Sequence, residues 1–369
     1  MRVLLVTTWY PTALAPGSGV FVRKDAELLA TRHDVHVIHL AAPDLLSEAD
    51  DRTEHGTVRV TRIPMRTSRP GDWLRAGRQL SLHLSHADVL HTQAFSTLLA
   101  LIGRRVSRPW VHTEHWSALS NPETVAASAR PLLALFTRLL RRPDVVTAVC
   151  EYLAAPVRRV RRGTTSIVPC IVPPASTVVP PPGVPGAPTL VAVGGLLDRK
   201  DPLCAVEALA LVRRSHPDAV LRWVGDGPLR EQVHARAAEL GMSGAVTVTG
   251  VRDMAGVIDE LQRGDVFLLP TKGENFCVSA AEAIVNGRIA VVGANGGQAE
   301  YIDDRNGRLV HEQVPHAYAQ AVLEVLGRPQ LPAADIAATI GDRFAPAQVM
   351  RGYEAAYAAA SRARGSIIP

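Results

Sequence analysis

The chain has 369 residues, 47% hydrophobic and 20% charged, which excludes a disordered or fibrous protein and suits two domains of roughly 150–200 residues each. Its formal charge of +5, with Lys and Arg spread along the sequence, suits phosphorylated substrates or an acidic lipid surface. Without interleaved aromatics or a binding motif it does not point to nucleic acid.

The chain opens with MRVLLVTTWYP, a short apolar strand followed by Pro, too short for a signal-peptide core and without a cleavage site. No segment approaches about 18 uninterrupted apolar residues, so no transmembrane segment is expected and a cytoplasmic location is the default. Cys150, Cys170, Cys204 and Cys277 share no metal-type spacing, so neither a zinc site nor a disulfide framework follows.

In the first half, the runs RVLLVTT, DVHVIHL, TVRVTRI, ADVLHT, WVHTEH and DVVTAV alternate with helix-like stretches. One of these stretches, 18–31, carries Val20, Phe21, Ala26, Leu28 and Leu29 on a broad apolar face. Short buried strands alternating with helices predict βαβ units and a parallel sheet. Residues 173–188 hold seven prolines and two glycines, so a stiff linker is expected there. The alternation then restarts with TLVAVGG, AVLRWVG, AVTVTG, DVFLLP, RIAVVG and GRLV.

The predicted organisation is therefore an N-terminal domain over 1–172, a linker over 173–188 and a C-terminal domain over 189–345. A last helical segment, 346–369, packs either on its own half or back on the first domain. The fold class is α/β, with two Rossmann-like, doubly wound domains facing across a cleft. Ligands of such sheets sit beyond the C-terminal strand ends.

The most informative stretch runs from Pro270 to Ile302. A strand ends in a loop holding Glu274, and a helix beginning near Cys277 carries Glu282. A helix N-terminus past a strand offers unpaired N–H groups and a positive dipole end to a diphosphate. By spacing alone, Glu282 is equally compatible with an ordinary helix-surface residue.

The wording of this stretch resembles the GT-B-fold, retaining glycosyltransferases of family 4. Their mark is two glutamates separated by seven residues ahead of a strand and a Gly-Gly turn; here Glu274 and Glu282 are followed by IAVVGANGGQAEYI and NGRLV. VAVGGLLDRKDP, LRWVGDGPLREQV, VTVTG and DVFLLP fall in the family's order. The resemblance continues more weakly in GSGVFVRKDAELLA, DVLHTQ, TEHW and VTAVCEYLA.

The resemblance implies that Glu274 contacts hydroxyls of the donor sugar and Glu282 the ribose. The amides of Asn275, Phe276, Cys277 and Val278 then lie along the sugar and diphosphate. Lys200 matches the lysine that neutralises the diphosphate, whereas Gly195 stands where the family has an arginine. Arg199 either substitutes for it or is a solvated loop residue. ENFC replaces the family's glycine-rich form and leaves the identity of the donor sugar open.

Gly250, Val251 and Arg252 are candidates for reading the base. Gly17, Ser18 and Gly19 are either a flexible turn or, as the resemblance favours, a substrate-lining loop. His115 matches a histidine near the donor sugar, His112 reads as a core residue, and His91 is a candidate acceptor contact at a strand end.

The expected function is retaining transfer of a sugar from a nucleotide-diphosphate sugar, UDP- or GDP-linked, to an acceptor hydroxyl, with no metal cofactor required. The acceptor is open between a small natural product and a cell-surface glycan precursor. Two alternatives stand beside this: a nucleotide-sugar epimerase, which alters its substrate without an acceptor, and a two-domain protein that traps a ligand without chemistry. Weak peripheral membrane contact through the basic segments 138–144 and 157–163 is a further expectation.

Overall fold

The computed structural model of the protein describes residues 1–51, 54–55, 58–121, 130–329 and 331–365; the last four residues of the 346–369 segment lie outside them. Two compact units result: Met1–Ile171 with Pro346–Pro369, and Val172–Ala345.

The first unit holds strands β1 (Arg2–Thr7), β2 (Asp34–Ala41), β3 (Glu54–His55), β4 (Val58–Pro64), β5 (Val89–Gln93), β6 (Trp110–Glu114), β7 (Val145–Ala148) and β8 (Thr164–Ile167). Helices α1 (Val20–Ala30), α2 (Pro70–Leu84), α3 (Arg130–Phe136) and α4 (Glu151–Val160) lie between them in sequence. Among the described residues the sheet order is β3-β4-β2-β1-β5-β6-β7-β8, parallel except for the β3–β4 pair.

Because side chains alternate across a strand, Val3 and Leu5 join one core with Val22, Ala26 and Leu29 of α1. Leu4 and Val6 join the other, with Leu80 of α2. Burial on both faces explains why these strands read as continuous apolar runs. β8, with the sequence TTSI at the sheet edge, is only half-buried, and lacks such a run.

The second unit holds β9 (Thr189–Val193), β10 (Val220–Val224), β11 (Val246–Gly250), β12 (Val266–Leu269), β13 (Ile289–Gly293) and β14 (Gly307–Val310). Its helices are α5 (Pro202–Val212), α6 (Arg230–Glu239), α7 (Met254–Gln262), α8 (Val278–Val285), α9 (Pro315–Gly327) and α10 (Ala333–Ala338). Every ladder is parallel, in the order β11-β10-β9-β12-β13-β14. The order reverses at β9, so the loops leaving β9 and β12 lie at the topological switch point of the sheet, where ligands of such folds bind.

Two boundaries differ from the sequence expectation. The first unit's leading segment ends at Ile171, and the Pro-rich segment 173–188 lies within the second unit. The buried Arg288 guanidinium donates to the carbonyls of Val179 (2.7 Å) and Leu261 (2.9 Å). Asp265 accepts from the amides of Gly183 (2.8 Å) and Thr189 (2.7 Å). The last helix, α11 (Pro346–Ala363), packs into the first unit's core through Val349, Met350, Tyr353 and Tyr357. Among the described residues no helix is long and apolar enough to cross a membrane.

Candidate functional site

β9 ends at Val193 and turns through Gly194 and Gly195 into a short 3-10 turn, Asp198–Lys200. Its neighbour β12 ends at Leu269 and leads through residues 270–277 into α8. The two loops are bound to each other. Lys272 N donates to Arg199 O (2.8 Å), Thr271 Oγ1 to the same carbonyl (3.1 Å), and Lys272 Nζ to Asp198 (2.8 Å). Residues 75 positions apart in sequence thereby share one site.

At its centre, Glu274 forms an ion pair with Lys200, and its Oε1 lies 2.8 Å from Arg199 Nη1 and 3.2 Å from Thr271 Oγ1. Burial pushes the Glu274 carboxyl up, but the Lys200 and Arg199 charges outweigh it and hold the group below the usual carboxylate range. Lys200 is buried, whereas the Arg199 side chain is 55% exposed. Arg199 therefore points to Glu274.

Glycines let the backbones close around this pair. Gly296 adopts φ 147°, and a Cβ there would collide with Glu274 O. Gly225 adopts φ 140° against Gly194 O, which also accepts from Trp223 Nε1 at 2.7 Å. The glycines of VGDGP thus serve close backbone packing.

The helix expected near Cys277 begins at Val278, and its first amides have no intrahelical acceptor. Cys277 is left-handed (φ 61°, ψ 65°), a conformation that favours glycine. Phe276 packs in the core beside Tyr301 and Phe344, at ring-centroid distances of 5.5 and 4.8 Å. The Tyr301 hydroxyl lies 2.9 and 2.7 Å from the carbonyls of Phe276 and Cys277. The Phe276 and Cys277 side chains are buried, so the bulk added at Cys277 is taken up by the core. Asn275 and Glu282 are half-buried. Gly250 (φ 77°) ends β11, and Val251 and Arg252 beyond it are exposed, Val251 by 79%.

In the first unit, Gly17 is exposed and Ser18 half-buried, while Gly19 (φ 65°) starts α1. A Cβ on Gly19 would strike the Trp9 backbone, so that glycine is required sterically. His115 packs on Phe21 at 4.6 Å, and its Nε2 lies 3.3 Å from Gln93 Oε1. Gln93 Nε2 donates to Asp25 (3.1 Å), which also accepts from the Tyr353 hydroxyl (2.7 Å). Burial, then His112, pushes His115 down to about 3, so its ring is neutral at physiological pH.

The backing of His115 by Gln93 and Asp25 escaped the sequence reading. A signal existed: Asp25 sits among Val22, Ala26 and Leu29 on the buried face of α1, where an apolar residue is expected. His112 is a core residue bonded to Thr92 Oγ1 (2.9 Å). His91 corrects the expectation: it lies mid-strand in β5, fully buried, against Tyr357 (2.8 Å) and Thr113 (2.6 Å). A polar residue on a central strand finds partners inside the core.

Comparison with known proteins bears on both units. The family model described as Glycosyltransferase Family 4 matches residues 17–176, and that described as Glycosyl transferases group 1 matches 182–339. The 2-deoxystreptamine glucosyltransferase of Streptomyces kanamyceticus is 28% identical over 66% of this chain and 72% of its own length. A GDP-mannose-dependent alpha-(1-6)-phosphatidylinositol dimannoside mannosyltransferase of Mycobacterium tuberculosis is 32% identical over 38% of this chain. That match spans 36% of the mycobacterial protein's length. In fold, the chain is similar to Anabaena HepE solved with UDP and glucose, with a TM-score of 0.74 at 17% identity, covering 96% of this chain and 98% of that one. Sucrose-phosphate synthase from Thermosynechococcus elongatus gives a TM-score of 0.74 at 21% identity, covering 96% of both chains.

Proposed function

Because the chain belongs to the GT-B glycosyltransferases of family 4, we propose that it transfers a sugar from a UDP- or GDP-sugar to an acceptor hydroxyl, with retention of anomeric configuration and without a metal ion. The observation that carries this reading is the Lys200–Glu274 ion pair, joined by Arg199, at the reversal point of the second sheet. When the donor binds, its diphosphate takes over from Glu274 as counter-ion to Lys200 and Arg199. Hydrogen bonds to charged groups contribute about 1.5–3 kcal/mol each.

Glu274 is then available to accept hydrogen bonds from sugar hydroxyls. The amides of Asn275, Phe276, Cys277 and Val278 follow the sugar and diphosphate, with the dipole of α8 behind them. Glu282 accepts from the ribose diol. Gly250, Val251 and Arg252 hold the base, for which the exposed Val251 offers apolar surface. Gly17, Ser18, Gly19 and His115 are assigned to substrate contacts, His115 as a neutral hydrogen-bonding group.

In the reaction, the acceptor oxygen bonds to the anomeric carbon on the face from which the diphosphate departs. The electron pair of the breaking C–O bond leaves with the nucleoside diphosphate, whose phosphate oxygen takes the acceptor's proton. Lys200 and Arg199 stabilise the developing charge. The named activities of the Streptomyces and mycobacterial relatives, and the UDP bound to HepE, support a nucleotide-sugar donor.

The test is to incubate the chain with UDP-glucose or GDP-mannose, with and without acceptors, and follow nucleoside diphosphate. Release is expected only with an acceptor, unchanged by EDTA, and the product should keep the donor's anomeric configuration by NMR. Acceptor-independent alteration of the donor would overturn transfer; an inverted product would overturn retention, and loss of activity with EDTA would overturn metal independence.

A further inference from the structure

The first unit carries an open cavity of about 920 Å³, within the range of small-molecule sites. Its lining comes from the segments after β1 (Thr8, Trp9), β4 and β5 (Phe95, Ser96), and from Trp116 after β6. It therefore lies at the C-terminal edge of a parallel sheet, where ligands of doubly wound folds bind.

Its walls are aromatic and aliphatic. Phe95 and Trp116 stack at 5.1 Å with 27° between their planes, and Trp73 meets Phe136 edge-on at 6.0 Å. The Trp73 indole is fixed by a hydrogen bond from Nε1 to Thr67 O (3.0 Å). The polar side chains of the lining are hydroxyls, among them Thr8 and Ser96, whose oxygens are 2.5 Å apart. Among the described residues, no charged one lines the cavity. Of the nearby arginines, Arg66 pairs with Asp44 at 3.5 Å and Arg75 with Asp72, while Arg69, between the lining residues Ser68 and Pro70, is exposed. The candidate substrate-contact residues adjoin it: Ser18 lines the wall, and His115 precedes Trp116.

We propose that this cavity receives the acceptor, and that the acceptor is an uncharged molecule whose hydrophobic ring system carries the hydroxyl to be glycosylated. The assignment rests on the glycosyl-transfer reading. Aromatic faces bury a ring system at low conformational cost, and the paired hydroxyls orient a polar substituent. A phosphorylated or polyamine acceptor would have to shed its hydration against these walls without a counter-charge in the described lining.

The test titrates 2-naphthol, as an uncharged ring probe, into the full chain by calorimetry. Inositol 1-phosphate and the aminocyclitol streptamine serve as charged probes of similar size. Two variants keep the fold out of question, because both positions are exposed: Leu45→Asp places a charge in the cavity wall, and Ser68→Trp fills its mouth. We expect 2-naphthol to bind, its Kd to weaken at least tenfold in each variant, and neither charged probe to compete. UDP and GDP binding, followed by thermal shift, should not change in the variants. Tighter binding of a charged probe, or 2-naphthol binding that ignores both variants, would overturn the assignment. Acceptor-dependent release with inositol 1-phosphate alone would overturn it too, yet leave glycosyl transfer standing. Acceptor-independent donor alteration, in the same assays, would instead count against the transfer reading.

Discussion

Lys200 carries its charge while largely withdrawn from water, with Glu274 as its counter-ion, whereas Arg199 reaches the same carboxylate from a half-exposed position. Removing the buried cation leaves a buried carboxylate poorly compensated and the departing diphosphate without its nearest charge. Lys200→Ala should therefore lower nucleoside diphosphate release by about a hundredfold or more, and Arg199→Ala by about tenfold. Equal losses in steady-state assays would show that burial does not separate the two. Cys277 is a second residue-scale case. Its left-handed backbone costs about 1–2 kcal/mol for a side chain that glycine would spare, partly offset by glycine's entropy. Cys277→Gly should leave the melting temperature unchanged or raise it, and a clear fall would mean that the buried thiol's packing dominates. Asp25 makes a pH-dependent prediction. Burial pushes its carboxyl from 3.8 up to about 7, against the hydrogen bonds of Tyr353 and Gln93. The folded state thus holds this proton more tightly than the unfolded chain. The stability so gained is complete below about pH 4 and is lost as pH rises towards 7, at about 1.4 kcal/mol per pH unit. In urea unfolding between pH 4 and 8, wild type should lose stability relative to Asp25→Asn across that window; a constant difference would refute the assignment.

Among the elements, strands and helices differ in how openly the sequence displays them. All six strand runs expected in the first half appear, as β1, β2, β4, β5, β6 and β7, and the six expected later are β9 to β14. Most are buried runs because both faces of a parallel sheet are covered, while β4 and β11 alternate buried with more exposed polar residues. β8 and the two-residue β3 were missed because edge pairing asks little of side-chain pattern. The Pro-rich segment 173–188 misled for a related reason: its composition reports local stiffness, while its attachment depends on Arg288, more than a hundred residues away. Arg288→Met would take that donor from the Val179 carbonyl, at about 1–3 kcal/mol for a buried group left unpaired, whereas the Leu261 carbonyl keeps the Gly264 amide (3.1 Å). Limited proteolysis should then cut within 173–188 sooner than in wild type; identical rates would show that Asp265 alone holds the segment.

At the scale of the whole molecule, the chain's last helix completes the unit that its first strand begins. Val349, Met350, Tyr353 and Tyr357 of α11 are buried in the first unit, where burying a Val or Met side chain contributes about 1.5–3 kcal/mol. Truncation after Ala345 should therefore unfold Met1–Ile171 and leave Val172–Ala345 folded, since that unit has its own core. Two-dimensional NMR should show dispersed signals from the second unit alone; a native first unit would show α11 to be dispensable. By itself the sequence determined the α/β class, the two rounds of alternation, the family, and the residues Lys200, Glu274 and Glu282 as candidates. These properties follow from local periodicity and contiguous motifs. Tertiary structure alone decided that Arg199 turns to Glu274, that Asp25 stands behind Gln93 and His115, that His91 is buried, and that aromatic side chains gather around an open cavity. Such features depend on which distant loops the sheet order brings together, and a strand's own residues do not encode its neighbour.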